Sequence, residues 1–548
     1  MADIAGLTIA IFDQLLKLGE RTGQLISDAR SFNEDTEQYY SKVVDENNRT
    51  KQLRHILFEP SPIYGGLTLF QNFDADVQEQ IKVFLGRLVH MLTEAIDLLE
   101  NRYGTSIEAT KSPTLTPSMS QLSLTPSRSS QETRSPSPRS SWKLFPQRSI
   151  TLLKWSFQDK KRTEEVLRDF SDLNGRIHEN IKLWCLASSI GLNMQHLRRL
   201  QNDESAKQLG FNIDATLQIT ATEAGHTEYS FELGDLWAES LRRAAPVEDR
   251  FALCHDDGKT FLMEHRRYEG QHDSSGEVDS RTKELVNNLA GLLSQPKEQV
   301  FCIPRCVGWK YLQSRSTIAF LFETPGGYQP NPISLYRLLD TKGVKLTLGE
   351  RFRLATALAK CVTQLQMVKW VHESFRSENI LFFPDKSKTS LTPESGISYI
   401  NYADPCVLGF EFTRPELDFS AGFADLCLER DVYRHPERQG RPGRMFNKIH
   451  DIYALGVVLL EIGLWQRALT LEKNHFKTAR DPFVIQAQLL KQAQRRLGDK
   501  MGEKYQQVVI ACLTGQFGVT NDTREDLKLQ QAFRTQVVDV LDRVAAYI

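Results

Sequence analysis

The stretch His372-Glu373-Ser374-Phe375-Arg376-Ser377-Glu378-Asn379-Ile380-Leu381 is a polar loop that runs into an apolar strand. Immediately before it, Arg351 to Val371 carries Leu354, Leu358, Val362, Leu365 and Val368 at helical spacing, so a long helix delivers the chain directly to His372. Downstream, Val407-Leu408-Gly409-Phe410-Glu411 reads as a strand entering a turn. The mostly polar run Pro384 to Tyr402 between them reads as an inserted loop. Tyr433-Arg434-His435-Pro436-Glu437 follows. Then Asp451-Ile452-Tyr453-Ala454-Leu455-Gly456 continues through Val457 to Ile462 as a nearly all-apolar, buried helix.

In this order the landmarks resemble the C-terminal half of a protein kinase: the His-Arg-Asp-Leu-x-x-x-Asn catalytic loop, the Asp-Phe-Gly metal-binding turn, the Ala-Pro-Glu end of the activation segment, and the buried helix after it. Phosphoryl transfer depends on positioning and charge neutralisation, with an aspartate accepting the proton of the attacking hydroxyl and a second aspartate and an asparagine holding magnesium. The resemblance places Asn379 at the asparagine, Ser374 at the catalytic aspartate and Gly409 at the metal-binding aspartate. A serine hydroxyl carries no charge at pH 7, and loss of one positioned base typically removes about two to four powers of ten in rate. Glu411 lies two positions late to replace the metal ligand, and Asp404 precedes Pro405 and the strand. The implied loop of His372, Ser374, Arg376 and Asn379 is therefore degenerate. No catalytic residue and no metal site are expected.

Phe251 to Cys254 and Thr260 to Glu264 flank Asp256-Asp257-Gly258, a hairpin signal. The second run leads into His265-Arg266-Arg267-Tyr268, where a kinase carries its ATP-binding lysine. Arg266 is the best match there, the alternative being a solvated basic strand end, and an arginine fork is no simple substitute for an ammonium. The helix Ser280 to Leu293 offers Glu284 as an ion-pair partner. Val300 to Val307 and Ser316 to Glu323 read as the next strands, and Phe322-Glu323-Thr324-Pro325 as a hinge. No Gly-x-Gly-x-x-Gly precedes the first strand. Arg266, Glu284 and Asn379 thus make at most a degenerate nucleotide site. ATP binding there is expected to be weak, and no cofactor is required.

The region from about 245 to 548 also looks like the kinase-like domains of fungal proteins that carry an N-terminal HeLo or HeLo-like (prion-inhibition and propagation) helical domain, in which the same Gly-Phe-Glu replacement tends to recur. The N-terminal sequence is compatible with such a bundle. Ile4, Leu7, Ile11, Leu15 and Leu18 form one apolar stripe, broadened by Phe12 and Leu16; Ser31 to Leu57 reads as a polar helix; Val77, Ile81, Phe84, Leu88, Met91, Leu92, Ile96 and Leu99 form another stripe. Ser149 to Phe170 and Leu173 to Leu200 read as two further helices. In them Leu152, Leu153, Trp155, Val166, Phe170, Ile177, Ile181 and Trp184 are candidate core residues. The resemblance implies fungal self/non-self recognition and regulated cell death, with lipid contact through residues 4–18 on activation. The first stripe is too short, and too interrupted by Asp13 and Lys17, to span a bilayer. Asp13, Glu20 and Asp28 also disfavour an anionic surface, so packing within the bundle is the resting-state expectation.

Gly104 to Ser141 is rich in Ser, Thr and Pro, a composition that cannot bury enough apolar surface to offset ordering. Ser112-Pro113, Thr116-Pro117, Thr125-Pro126, Ser135-Pro136 and Ser137-Pro138 make it either a target of proline-directed phosphorylation among Arg128, Arg134 and Arg139, or a passive loop. Asn202 to Glu248 is a polar connector whose run Leu217 to Ile219 is expected either to form a short hairpin or to pack on the sheet domain. The formal net charge of -1 creates no field that favours nucleic acid. Lys154, Lys160, Lys161 and Arg162 alternate with Asp159, Glu164 and Glu165, as on a solvated helix face. Eight cysteines occur without a Cys-x-x-Cys, and Cys302 with Cys306 alone cannot hold a metal. With no evident signal peptide, a cytoplasmic chain with reduced thiols is expected, membrane-associated only when activated.

The expected architecture is multidomain: an all-α helical bundle over 1–200 with an insertion at about 104–141, a connector over 201–248, and an α+β bilobal kinase-like fold over 249–548, divided at 325. The expected role is non-catalytic signalling through protein partners, in which the pseudokinase domain regulates the helical effector. The alternatives are a residually active kinase and a cytosolic scaffold without membrane action.

Overall fold

A computed structural model of the 548-residue chain describes residues 4–29, 36–103, 160–223, 230–268, 278–386, 399–410, 428–439, 445–471 and 482–548. The Ser/Thr/Pro-rich insertion, Leu152 to Trp155, Glu411 and most of the run Pro384 to Tyr402 lie outside the described residues. The chain divides into two compact units, Met1–Ile181 and Lys182–Ile548.

The first unit is helical. α1 (Ile4–Ala29) packs against α2 (Thr36–Phe58) and α3 (Ala75–Tyr103), and the first part of α4 (Lys160–Ala187) completes it. The packed seam of α1 is Thr8, Phe12, Leu15, Gly19, Thr22 and Ile26, a four-three alternation. Of the apolar stripe expected from the sequence Leu15 and the flanking Phe12 are fully buried, whereas Leu7 is 53% exposed. The reason lies in two threonines. Thr8 Oγ1 donates to Ile4 O at 2.7 Å and Thr22 Oγ1 to Leu18 O at 2.8 Å. Their hydroxyls are satisfied within the helix, so these small side chains can face a neighbour and rotate the larger aliphatics aside. Phe12 meets Phe58 edge-on at 5.6 Å, and Phe58 lies against Phe70 at 4.9 Å. Farther along, Ile26, Val43, Ala95, Leu99, Val166 and Leu167 share a core. There the buried Glu46 of α2 is gripped by α4: Asn174 Nδ2 donates to Glu46 Oε2 at 2.7 Å and Ser171 Oγ to Oε1 at 2.8 Å.

The second unit begins inside α4. That helix continues unbroken through Ala187 where two helices were expected, and α5 (Met194–Asn202) follows, N-capped by Asn193. The connector is more ordered than its polarity suggests: α6 (Phe211–Thr222) is a helix, not a hairpin, and packs on α8 (Ser280–Ser294). Its Leu217 and Ala221 belong to the same apolar core as Val286 and Phe301. Lys182 forms a buried ion pair with Asp214 and approaches Glu298 at 3.4 Å. α7 (Leu236–Arg242) leads to a five-stranded antiparallel sheet of β1 (Ala245–Glu248), β2 (Phe251–Asp256), β3 (Lys259–Arg267), β4 (Cys306–Leu312) and β5 (Thr317–Glu323), ordered β1-β2-β3-β5-β4. The β2–β3 hairpin forms as the sequence predicts, with Cys254 opposite Phe261 and both turn residues, Asp257 and Gly258, at positive φ (45° and 72°). β4 starts only at Cys306, because Val300 belongs to a helical turn and Pro304 follows.

The remainder is mainly helical. A small antiparallel sheet joins β6 (Ile333–Ser334), β7 (Ile380–Phe382) and β8 (Cys406–Val407). α9 (Leu348–Met367) opens with a capping box between Thr347 and Glu350 and ends five residues before His372. α10 (Lys448–Leu464) is buried at every position from His450 onward and packs against α9, α11 (Pro482–Met501) and α12 (Glu503–Thr514). The seven described cysteines are free thiols. Among the described residues no helix is long and apolar enough to cross a membrane.

Phe12→Ala should lower stability by about 3–5 kcal/mol, because the Phe58 contact leaves a void, whereas Leu7→Ala should stay within about 0.5 kcal/mol. Chemical denaturation of the two variants checks the seam; equal losses would show that Leu7 packs as Phe12 does and contradict it.

Candidate functional site

The loop from His372 to Asn379 is held from below by α10. Asp451 accepts the backbone N–H groups of His372 at 2.6 Å and Glu373 at 3.1 Å. Burial pushes the Asp451 carboxyl up to about 7, against the pull of these two donors. Glu373 pays for this geometry with a left-handed backbone, φ 61°. His372 Nε2 lies 3.1 Å from the Leu408 carbonyl, and Ser374 N–H donates to Nδ1 at 3.2 Å. A carbonyl only accepts, so the ring carries its proton on Nε2 and is neutral. Burial, aided by nearby arginines, takes its pKa down to about 3. Phe410 lies 4.2 Å from the ring, Phe375 5.5 Å, and Trp370 stacks on Phe410 at 5.4 Å. The histidine is thus the polar hinge of an aromatic column.

Ser374 and Asn379 come together. Asn379 Nδ2 donates to Ser374 O at 2.8 Å and lies 3.3 Å from Ser374 Oγ. The same carboxamide lies against Gly409, where a Cβ would overlap it, and Gly409 has φ 80°. Two independent constraints therefore fix glycine at this position: the backbone angle and the occupied space. Arg376 turns away from both and pairs through Nε with Glu378 at 3.0 Å. Ser377 Oγ meets Tyr433 OH at 2.8 Å, and that hydroxyl donates to the buried Glu461 of α10 at 2.8 Å.

Above Gly409 lies a group the sequence reading passed over. Glu264, fully buried on β3, accepts Arg266 Nε at 2.9 Å and Arg250 at 3.3 Å on one oxygen, and Gly409 N–H at 3.2 Å on the other. Burial disfavours its charge, but Arg266, Arg250, the Arg266 hydrogen bond and the Gly409 amide together outweigh that and hold the carboxyl below its ordinary value. Strand alternation is the signal that points to it, since Leu262, Glu264 and Arg266 share one face. Arg266 is 6% exposed and sits 4.8 Å over the Phe320 ring, so it is no solvated strand end. Glu284 is not its partner. It is exposed on α8 and lines a recess of about 260 Å³ with Lys283, Asn287 and Trp309. The two-residue spacing within one strand gave Arg266 a nearer carboxylate.

Among the described residues no set of side chains here fits a magnesium nucleotide. Magnesium asks for one or two carboxylates at close to octahedral geometry. The described donors beside Gly409 are the Asn379 amide oxygen, which has no hydrogen-bond partner among the described residues, and the Ser374 hydroxyl. Glu264 is already neutralised by two guanidinium groups. Asp404 is engaged elsewhere, accepting Tyr328 OH at 2.9 Å and Gln299 Nε2 at 3.1 Å. The β1–β2 turn is the two residues Asp249 and Arg250, with no glycine.

Residues 310–546 match a family model described as "Domain of unknown function (DUF7580)". No curated protein matches the chain.

Gly409→Asp, alone or with Ser374→Asp, should lower stability by at least about 1–3 kcal/mol through backbone strain, and should create no magnesium-dependent nucleotide binding. Melting curves with and without magnesium and ATP test this; a stable variant that gained a magnesium-dependent shift would refute the packing argument. A second expectation concerns pH. The folded pKa of His372 is depressed, so the stability it contributes is present above the unfolded value of about 6.5 and is lost at about 1.4 kcal/mol per pH unit as pH falls below it. His372→Phe should be about 1–3 kcal/mol less stable at pH 7.5, with the Leu408 carbonyl unpaired, and the gap should close with that slope between pH 6.5 and 5. Denaturation at both ends of the range measures it; a constant gap would contradict the buried neutral ring.

Proposed function

We propose that residues 245–548 are a kinase-like domain that has lost phosphoryl transfer and acts as a regulatory module, working through protein partners on the N-terminal helical effector. One observation carries this reading: the Asn379 carboxamide occupies the space a metal-binding side chain at position 409 would need. Several others support it. The third strand of the five-stranded sheet carries the basic Arg266, and a helix stands between it and the fourth, the order in which kinases place a lysine and its glutamate partner. The loop at His372 is tied to a buried helical carboxylate, and Phe410 packs on His372 although its neighbouring aspartate is gone. At the nucleotide position the charge is rearranged into an internal Arg250–Glu264–Arg266 cluster, which satisfies groups that phosphates would otherwise engage.

In this reading the pseudokinase controls the helices by protein contacts, and a signal shifts a two-state equilibrium of the effector. The effector belongs to the HeLo-like class. Its α1 leaves Leu7 at the surface, and residues 4–18 are the segment that would meet lipid once released.

The purified full chain, incubated with labelled ATP and magnesium or manganese, should incorporate no phosphate and show no metal-dependent rise in melting temperature at millimolar nucleotide. Phosphate incorporation that Asn379→Ala abolishes would overturn the reading.

A further inference from the structure

β4 is the last strand of its sheet, and an exposed edge is a template for another strand. Here the edge is covered by the chain itself. Residues 230–233, on the way from α6 to α7, run parallel to β4, with Glu232 opposite Trp309. Trp309 N–H donates to Phe231 O at 3.0 Å, and Leu233 N–H donates to Trp309 O at 2.8 Å. Phe231 N–H points the other way and donates to Asn287 Oδ1 of α8 at 2.6 Å. The segment is a strap laid into the groove between a helix and a sheet edge.

Two glycines fit that strap. A Cβ on Gly291 of α8 would stand 2.8 Å from the Phe231 ring; one on Gly308 of β4 would stand 2.6 Å from the Phe231 carbonyl oxygen and 2.8 Å from Leu233. Neither glycine has a positive φ, so backbone conformation does not require them and the approach of the strap does. Charge agrees: Lys310 of β4 lies 3.0 Å from Asp235 and 3.7 Å from Glu232. The groove thus holds Phe231, Glu232 and Leu233 through main-chain pairing and side-chain contacts, the geometry by which sheet edges take up an added strand.

We propose that the α8–β4 groove is a docking site for an extended Phe-acidic-Leu segment, and that residues 230–233 are its resident occupant, exchangeable for a partner protein's segment of the same pattern. Tethering gives the strap an effective concentration of order millimolar, so the site is closed to weak partners until the strap is displaced. This inference does not depend on the non-catalytic reading above.

The probe is a fluorescein-labelled peptide of residues 228–236. It is titrated by anisotropy against the full chain, against Phe231→Ala/Leu233→Ala, and against that variant with Gly308→Val added. The strap variant should bind at least about tenfold tighter than the unmodified chain. Gly308→Val should remove that gain, and a peptide carrying alanine at Phe231 should not bind. A strap variant that keeps a cooperative melt yet binds no tighter than the unmodified chain, or binding that Gly308→Val leaves untouched, would overturn the proposal. Should the strap variant not fold, amide exchange in the unmodified chain decides. The Leu233 amide should exchange at least about a hundredfold faster than Met263 at the centre of the sheet, and equal protection would show a fixed structural strand instead of an exchangeable one.

Discussion

A carboxylate buried on a strand has to find positive charge, and the whole candidate site is arranged around that requirement. Glu264 is fully enclosed, and Arg266 of its own strand, Arg250 of the β1–β2 turn and the Gly409 amide close on it. With both guanidinium groups removed, an uncompensated charge would remain in a dry interior, which is strongly destabilising. The cluster thereby couples the five-stranded sheet to the turn at Gly409, and through Asn379 and Leu408 to the loop at His372. Beneath it, Asp451 and Glu461 of one buried helix do similar work with backbone amides and a tyrosine hydroxyl as their donors. The second unit is organised by enclosed carboxylates as much as by its apolar core.

Much of this was legible in the sequence. Helical spacing before His372, the Asp257-Gly258 hairpin and the all-apolar run after Asp451 each rest on a local rule, and each appears where the rule puts it. What escaped is what local rules cannot carry. The apolar run Thr260 to Glu264 stops short of Arg266 and leaves Glu284 of the next helix as its partner, whereas β3 extends through Arg267 and strand alternation supplies Glu264 two residues away. The α1 seam was misread because hydrophobicity ranks Leu7 above Thr8, whereas burial depends on whether a hydroxyl can be satisfied internally. Of the two alternatives for the run at Leu217, packing on the sheet domain holds and the hairpin does not, because its few apolar residues gain a core only from α8, far along the chain. Gly409 was recognised as a missing ligand, but nothing in the sequence says that Asn379 fills its space.

The first unit repeats the theme on a smaller scale. Glu46 is buried between two helices and is met by Arg49, Ser171 and the Asn174 carboxamide. A polar clamp of this kind adds little net stability over an apolar contact, but it tolerates only one register of α4 on α2.

The Lys182–Asp214 pair and the Leu217–Phe301 packing bear on how this molecule can be cut. A truncation starting at 249, where the sheet region is read to begin, would leave Val286 and Phe301 without their cover and expose a hydrophobic patch of the sort that drives aggregation. A clone meant to yield the C-terminal half intact must retain everything from Lys182 onward.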